Sequence, residues 1–149
     1  MFNNPVAKIP FSISGTGDTV GVFRFFGKNT LSSAAGGSAV TDYSGVGSNG
    51  KLYWIMMRQA AGGDATALDY KLVDREYAVS TSTVLANIPD EYLVSEGAAV
   101  ALTASATDAS LNSVIDSPAI YQSSLALVID VTTAASGAWT ITGYIGVER

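Results

Sequence analysis

At 149 residues the chain has room for one domain with a real core, because a domain of that length buries roughly 68–70% of the surface its unfolded form exposes. Hydrophobic residues make up 48% and charged residues only 14%, against roughly 25% charged in ordinary soluble domains, so Ser, Thr, Asn, Gly and Ala must finish an exterior that is easily desolvated and suited to contact with neighbours. The absence of Cys and His excludes disulfides, thiolate chemistry and Ser–His or Cys–His nucleophiles, and a net charge of −5 with scattered basic residues excludes the concentrated positive field that nucleic acid requires.

Residues 1–5, Met-Phe-Asn-Asn-Pro, have no charged segment followed by an apolar run and read as a short arm, not a secretory signal. No stretch approaches the 18 or so consecutive apolar residues of a membrane span, so no membrane is expected as a partner. The expectation is a protein made in a cytoplasm that stays there or leaves by lysis or another non-classical route.

Residues 6–13 and 19–26 flank Ser14-Gly15-Thr16-Gly17-Asp18 and read as a first hairpin. Apolar groups on both faces of 20–26 predict a central strand, while Pro10, which cannot donate to a ladder, predicts an edge or a bulge for the first strand. Residues 52–58 form another run that is apolar on both faces. Loop 60–66 and a long run over 68–79 follow, with a phase change at Leu72-Val73 that predicts a bulge or a crossing between sheets. Only 82–93 offers a helix, capped by Ser82 or Thr83 and held by Pro89 to about two turns of α or 3₁₀ form. Residues 100–106 alternate weakly.

The strongest alternation comes last. Leu125, Leu127, Ile129 and Val131 share one face, and so do Trp139, Ile141, Ile145 and Val147; Thr140, Thr142 and Tyr144 take the opposite face. With Ala134-Ala135-Ser136-Gly137 between them, the two runs read as a hairpin. About eight strands at short spacing, with at most one short helix, define an all-β class: an antiparallel β-sandwich of jelly-roll type, or a closed barrel, occupying 1–149 as one domain. Loops 32–38 and 60–64, rich in Ala, Gly and Ser, look flexible unless another chain orders them.

Chemical motifs are few. Gly45-Val46-Gly47-Ser48-Asn49-Gly50-Lys51 matches two phosphate-loop patterns, but it runs into a strand instead of a helix and has Leu52 where a Ser or Thr would hold magnesium. Asn49-Gly50 reads more simply as a type I′ turn. Asp69, Asp74 and Glu76, and Asp90, Glu91 and Glu96, could serve as acid–base pairs, with Asp74 and Glu76 about 7 Å apart if both lie on one face of a strand. Lys71 and Arg75 beside them favour a solvated face, and the calcium-loop pattern is missing. No enzyme, metal or cofactor is expected. Tyr43, Tyr53, Tyr92, Tyr121 and Tyr144 read as half-buried strand residues, as an interface, or as a sugar-stacking platform.

In its Ala/Gly/Ser/Thr-rich character, in the stretch 27–40, in the paired runs 125–147 and in the arm 1–5, the chain resembles bacteriophage virion proteins, above all small head decoration (cement) and minor capsid proteins. The resemblance implies a homo-oligomer, a trimer, seated on other capsid proteins in a virion assembled in the host cytoplasm. It implies an interface through Phe2, whose ring supplies buried area, and Pro5, which stiffens the arm, together with Tyr43, Tyr53 and Tyr144. A receptor- or carbohydrate-binding module of a fibre or spike, and a major capsid or tail-tube component, are the competing expectations.

Overall fold

The computed structural model describes residues 7–26, 49–60, 62–63, 65–101, 109–134 and 137–148. Among them, eight strands follow in chain order: β1 (Ala7–Thr16), β2 (Val20–Phe26), β3 (Gly50–Gln59), β4 (Ala67–Val73), β5 (Leu93–Ala101), β6 (Ala109–Tyr121), β7 (Leu125–Thr133) and β8 (Ala138–Glu148). β1 pairs with β8, β2 with β7, β3 with β6 and β4 with β5, all antiparallel. The chain is therefore one long hairpin with its tip at β4–β5, wound across two layers. β3 also joins β8, and β4 joins β7. The resulting strand orders, β1-β8-β3-β6 and β2-β7-β4-β5, make the sandwich a jelly roll.

This winding corrects both expected hairpins. β1 and β2 belong to different sheets, as do β7 and β8. The residues between them form two corners that cross the sandwich side by side, Gly17 N–H donating to Gly137 O (2.8 Å) and Ala134 N–H to Asp18 Oδ1 (2.7 Å). Alternation fixes which face a residue takes but not which strand it pairs with, so the faces assigned to β7 and β8 hold while the pairing does not.

Ile9, Phe11, Ile13, Ile55 and Ile141 of the first sheet meet Phe23, Phe25, Leu127 and Ile129 of the second in the central core. Phe11 bridges the layers, edge-on to Phe25 at 5.9 Å and tilted against Phe23 at 6.2 Å. Pro10 lies in β1, an outer strand, as its missing N–H requires. β2 is also an outer strand rather than a central one. Its second apolar face is buried because the connection between β4 and β5 lies over the sheet: Val22 packs with Val73, Val79, Leu85, Ile88, Ala126 and Val128 in a second, smaller core. The expected bulge at Leu72/Val73 is present, in the β4–β5 ladder.

The connection itself holds two single 3₁₀ turns, Leu85–Asn87 and Asp90–Tyr92, one on each side of Pro89, in place of one helix. Lys71 Nζ pins it by donating to Leu85 O (3.0 Å) while standing 3.6 Å from Glu96. At its start Asp74 is buried in a turn, not on a strand. Asp74 Oδ2 accepts from Gln122 N–H (2.9 Å) and Arg75 N–H donates to Gln122 O (2.8 Å), with Arg75 and Glu76 both in the left-handed region. Asp74 and Glu76 therefore do not form the paired strand carboxylates that a glycosidase-like reading needs.

Candidate functional site

The outer face of the first sheet is built by register. Ser12, Thr142 and Arg58 stand side by side on β1, β8 and β3; Pro10, Tyr144 and Met56 form the next row; Lys8, Gly146 and Trp54 the third. A bulge at Tyr53 shifts the phase of β3, so Leu52 and Ile55 both point into the core while Trp54 and Met56 face out. Gly146 leaves the space that the Trp54 indole fills. Further along, Ile120 of β6 pairs with Lys51, and Lys51 with Glu148.

Of the four large apolar side chains left exposed among the described residues, three lie here: Met56 (39%), Ile120 (65%) and Tyr144 (40%). A shallow groove of about 300 Å³ runs between Pro10, Met56, Arg58, Thr142, Gly143 and Tyr144. Lys8 Nζ caps the Tyr144 ring at 4.0 Å from its centroid, a cation–π contact that holds the phenol in place. The Tyr53 hydroxyl donates to the Glu148 carboxylate, and that hydrogen bond raises the phenol above its usual pKa. Groups of this kind offer stacking area, hydroxyls and cations. They suit adhesion.

Tyr53 and Tyr144, singled out from sequence, thus share one face. Phe2, Pro5 and Tyr43 lie outside the described residues, as does loop 32–38. Tyr121 is buried, stacked on Phe26 at 5.7 Å, and Tyr92 packs on Tyr77 at 4.9 Å beside the smaller core, so neither joins Tyr53 and Tyr144 in one platform. Met56, Pro10 and Ile120 escaped sequence reasoning. Met56 sits in a wholly apolar run, yet its period-2 neighbour Arg58 marks the outward face, and that signal was available. Loop 60–64 is bracketed by Gln59, which donates to Ala65 O and accepts from Ala65 N–H, both at 2.8 Å, and within its described part Gly63 N–H donates to Ala60 O at 3.2 Å.

The opposite side of the sandwich is acidic. Asp69 of β4 stands directly across from Asp130 of β7. Burial, then the charges of Asp69 and Asp18, raise the Asp130 pKa above the ordinary aspartate value. The folded chain therefore holds that proton more tightly than the unfolded chain does. The resulting stabilisation is complete below the unfolded value near ~3.9 and is lost as pH rises through the raised folded value. Asp130→Asn is expected to raise stability at pH 7 and to leave a flatter slope between pH 4 and 7 than the wild type, in urea titrations run at each pH. A variant as pH-dependent as the wild type would contradict this.

Gly50 opens β3 and neither it nor Asn49 has the positive φ of a type I′ turn; Asn49 Oδ1 instead accepts from Ser123 N–H at 3.0 Å. Lys51 is thus on a strand, not at a helix N-terminus, and the phosphate-loop geometry is not met. No group of three or more acidic side chains among the described residues is arranged to hold a metal ion, and none of their helices is long and apolar enough to cross a membrane. No protein-family model and no curated protein matches the chain.

Proposed function

We propose that this chain is a structural protein of a virion, a capsid decoration (cement) subunit that works by surface contact and carries out no reaction. The observation that carries this reading is the outer face of the β1-β8-β3-β6 sheet, where Met56, Ile120 and Tyr144 remain exposed in a groove-bearing surface. Large apolar side chains left exposed on one sheet face favour an interaction site. Here it is carried on a jelly roll, an architecture shared with viral capsid domains. Many copies on a lattice turn modest contacts into firm attachment.

The wild-type chain is expected to co-sediment with capsids of the virus that encodes it and to run as an oligomer, a trimer, in size-exclusion chromatography with light scattering. Met56→Glu/Ile120→Glu, both on exposed side chains, is expected to stay folded and to weaken attachment at least about tenfold. Deleting residues 1–5 tests the arm in the same assay. A monomer that ignores capsids and binds immobilised glycans would overturn the structural reading. The second reading is then a carbohydrate-binding module, favoured by Tyr144 and Thr142 lining the groove together.

A further inference from the structure

We propose that the open face of the first sheet receives the acidic side of a second copy of this chain, so that copies associate head to tail. The proposal rests on the reading of that face as an assembly surface and names its partner. Charge is divided between the two sides of the sandwich. Among the described side chains, the first sheet's outer face carries Lys8, Lys51 and Arg58 against one carboxylate, Glu148, which already accepts the Tyr53 hydroxyl. The other side carries Asp69 and Asp130 on the second sheet and Asp90, Glu91 and Glu96 on the connection and β5. Of the cations on that side, Lys71 is engaged with Leu85 O and Glu96, Arg75 stands 3.9 Å from Asp74, and Arg24 is buried.

Two faces can pair in three ways. Face-to-face contact of two first sheets would set Lys8, Lys51 and Arg58 against their own copies, and contact of two acidic sides would set carboxylate against carboxylate. Only the head-to-tail arrangement matches signs, and like-charge juxtaposition is an effective block on the other two. The apolar groups follow the same division. The fourth exposed large apolar side chain, Val84 (57%), is on the acidic side, next to Leu85. It is a knob of a size that a groove of about 300 Å³ can take. A head-to-tail contact closes into a ring or continues as a filament, and a cyclic trimer is one of the rings it can build.

Sedimentation velocity on the full chain tests this with two charge reversals. Lys8→Glu/Lys51→Glu alters only the basic face; Asp90→Lys/Glu91→Lys alters only the acidic one. Each variant alone, with a wild-type circular-dichroism spectrum, is expected to self-associate about tenfold more weakly than the wild type, and wild-type association is expected to weaken in 0.5 M salt, roughly three times physiological ionic strength. Mixed in equal amounts, the two variants are expected to associate with each other, because the intact face of each meets the intact face of the other and the two reversed faces are again opposite in sign. Wild-type-like association of either variant, no association on mixing, or a wild-type chain that stays monomeric would each overturn the proposal. Capsid co-sedimentation of the same variants separates the two readings: attachment that survives without self-association leaves the decoration role standing and sinks the head-to-tail contact.

Discussion

Gly143→Ala is expected to cost at least about 3 kcal/mol, at or above the upper end of ordinary overpacking, and Gly143→Val to leave the chain unfolded at room temperature. Gly143 lies in β8 between Phe11 of β1 and Met57 of β3, and a Cβ added there would overlap the Met56 carbonyl oxygen and come within 2.9 Å of the Phe11 ring. The obstacle on one side is backbone, held by ladders to β6 and β8, so it cannot swing away as a side-chain tip would. Gly62 makes the control. It needs glycine for a different reason, a φ of +81° in a loop with nothing within 4 Å of a new Cβ. Gly62→Ala should cost only about 1–2 kcal/mol, the strain of a left-handed alanine. Urea denaturation of both variants distinguishes lack of space from lack of conformational freedom; equal losses would show that the space around Gly143 yields more readily than its neighbours indicate.

What the sequence disclosed, and what it hid, follow from the same geometry. β7 and β8 announce themselves because each carries a row of Leu, Ile, Val or Trp toward one core, and side-chain alternation is a local property. Pairing is not local. Ser14 and Thr140 touch through their hydroxyls at 3.0 Å although 126 residues apart, while chain neighbours cross to the other layer. A short Gly-containing link between two alternating runs looks the same whether it turns a hairpin or rounds a corner. β2 reads as a central strand because both its faces are buried, yet the second face is covered by the connection across the sheet and not by a third layer. β6 gives no periodic signal at all: Ser110, Asn112, Ser113, Asp116, Ser117 and Pro118 have weak strand preference, which an outer strand tolerates.

The candidate site was half legible for the same reason. Tyr144 stands out as the polar-face member of an alternating strand, and Tyr53 as an aromatic. Pro10, Met56 and Lys8 join them only through register between strands distant in sequence. The acidic pair hides likewise: Asp69 and Asp130 become neighbours only when β4 docks on β7. A reader of sequence sees scattered charges. The fold sorts them by side.

The sorting depends on the two corners staying closed, and Trp139 is what closes them. Its indole is 2% exposed; it fills the space a Cβ on Gly15 of the first sheet would need and comes within contact distance of where a Cβ on Gly21 of the second would stand. Its Nε1–H donates to Gly17 O at 2.9 Å, in the corner whose Gly17 N–H donates to Gly137 O and whose Asp18 Oδ1 accepts from Ala134 N–H. Trp139→Ala is expected to cost about 3–5 kcal/mol, because it empties the junction and strands a buried carbonyl. Trp139→Phe keeps most of the packing and loses the hydrogen bond, so a smaller cost of about 1–3 kcal/mol is expected. The chain has two tryptophans, and in Trp139→Phe the remaining emission comes from Trp54 on the outer face of the first sheet. That indole then reports whether the outer face of the first sheet keeps its shape when the corner is weakened. An unchanged Trp54 spectrum alongside reduced stability is the expected result. A Trp54 shift in the folded variant would mean that corner and face move together, and that the jelly roll transmits strain between its layers instead of confining it to the junction.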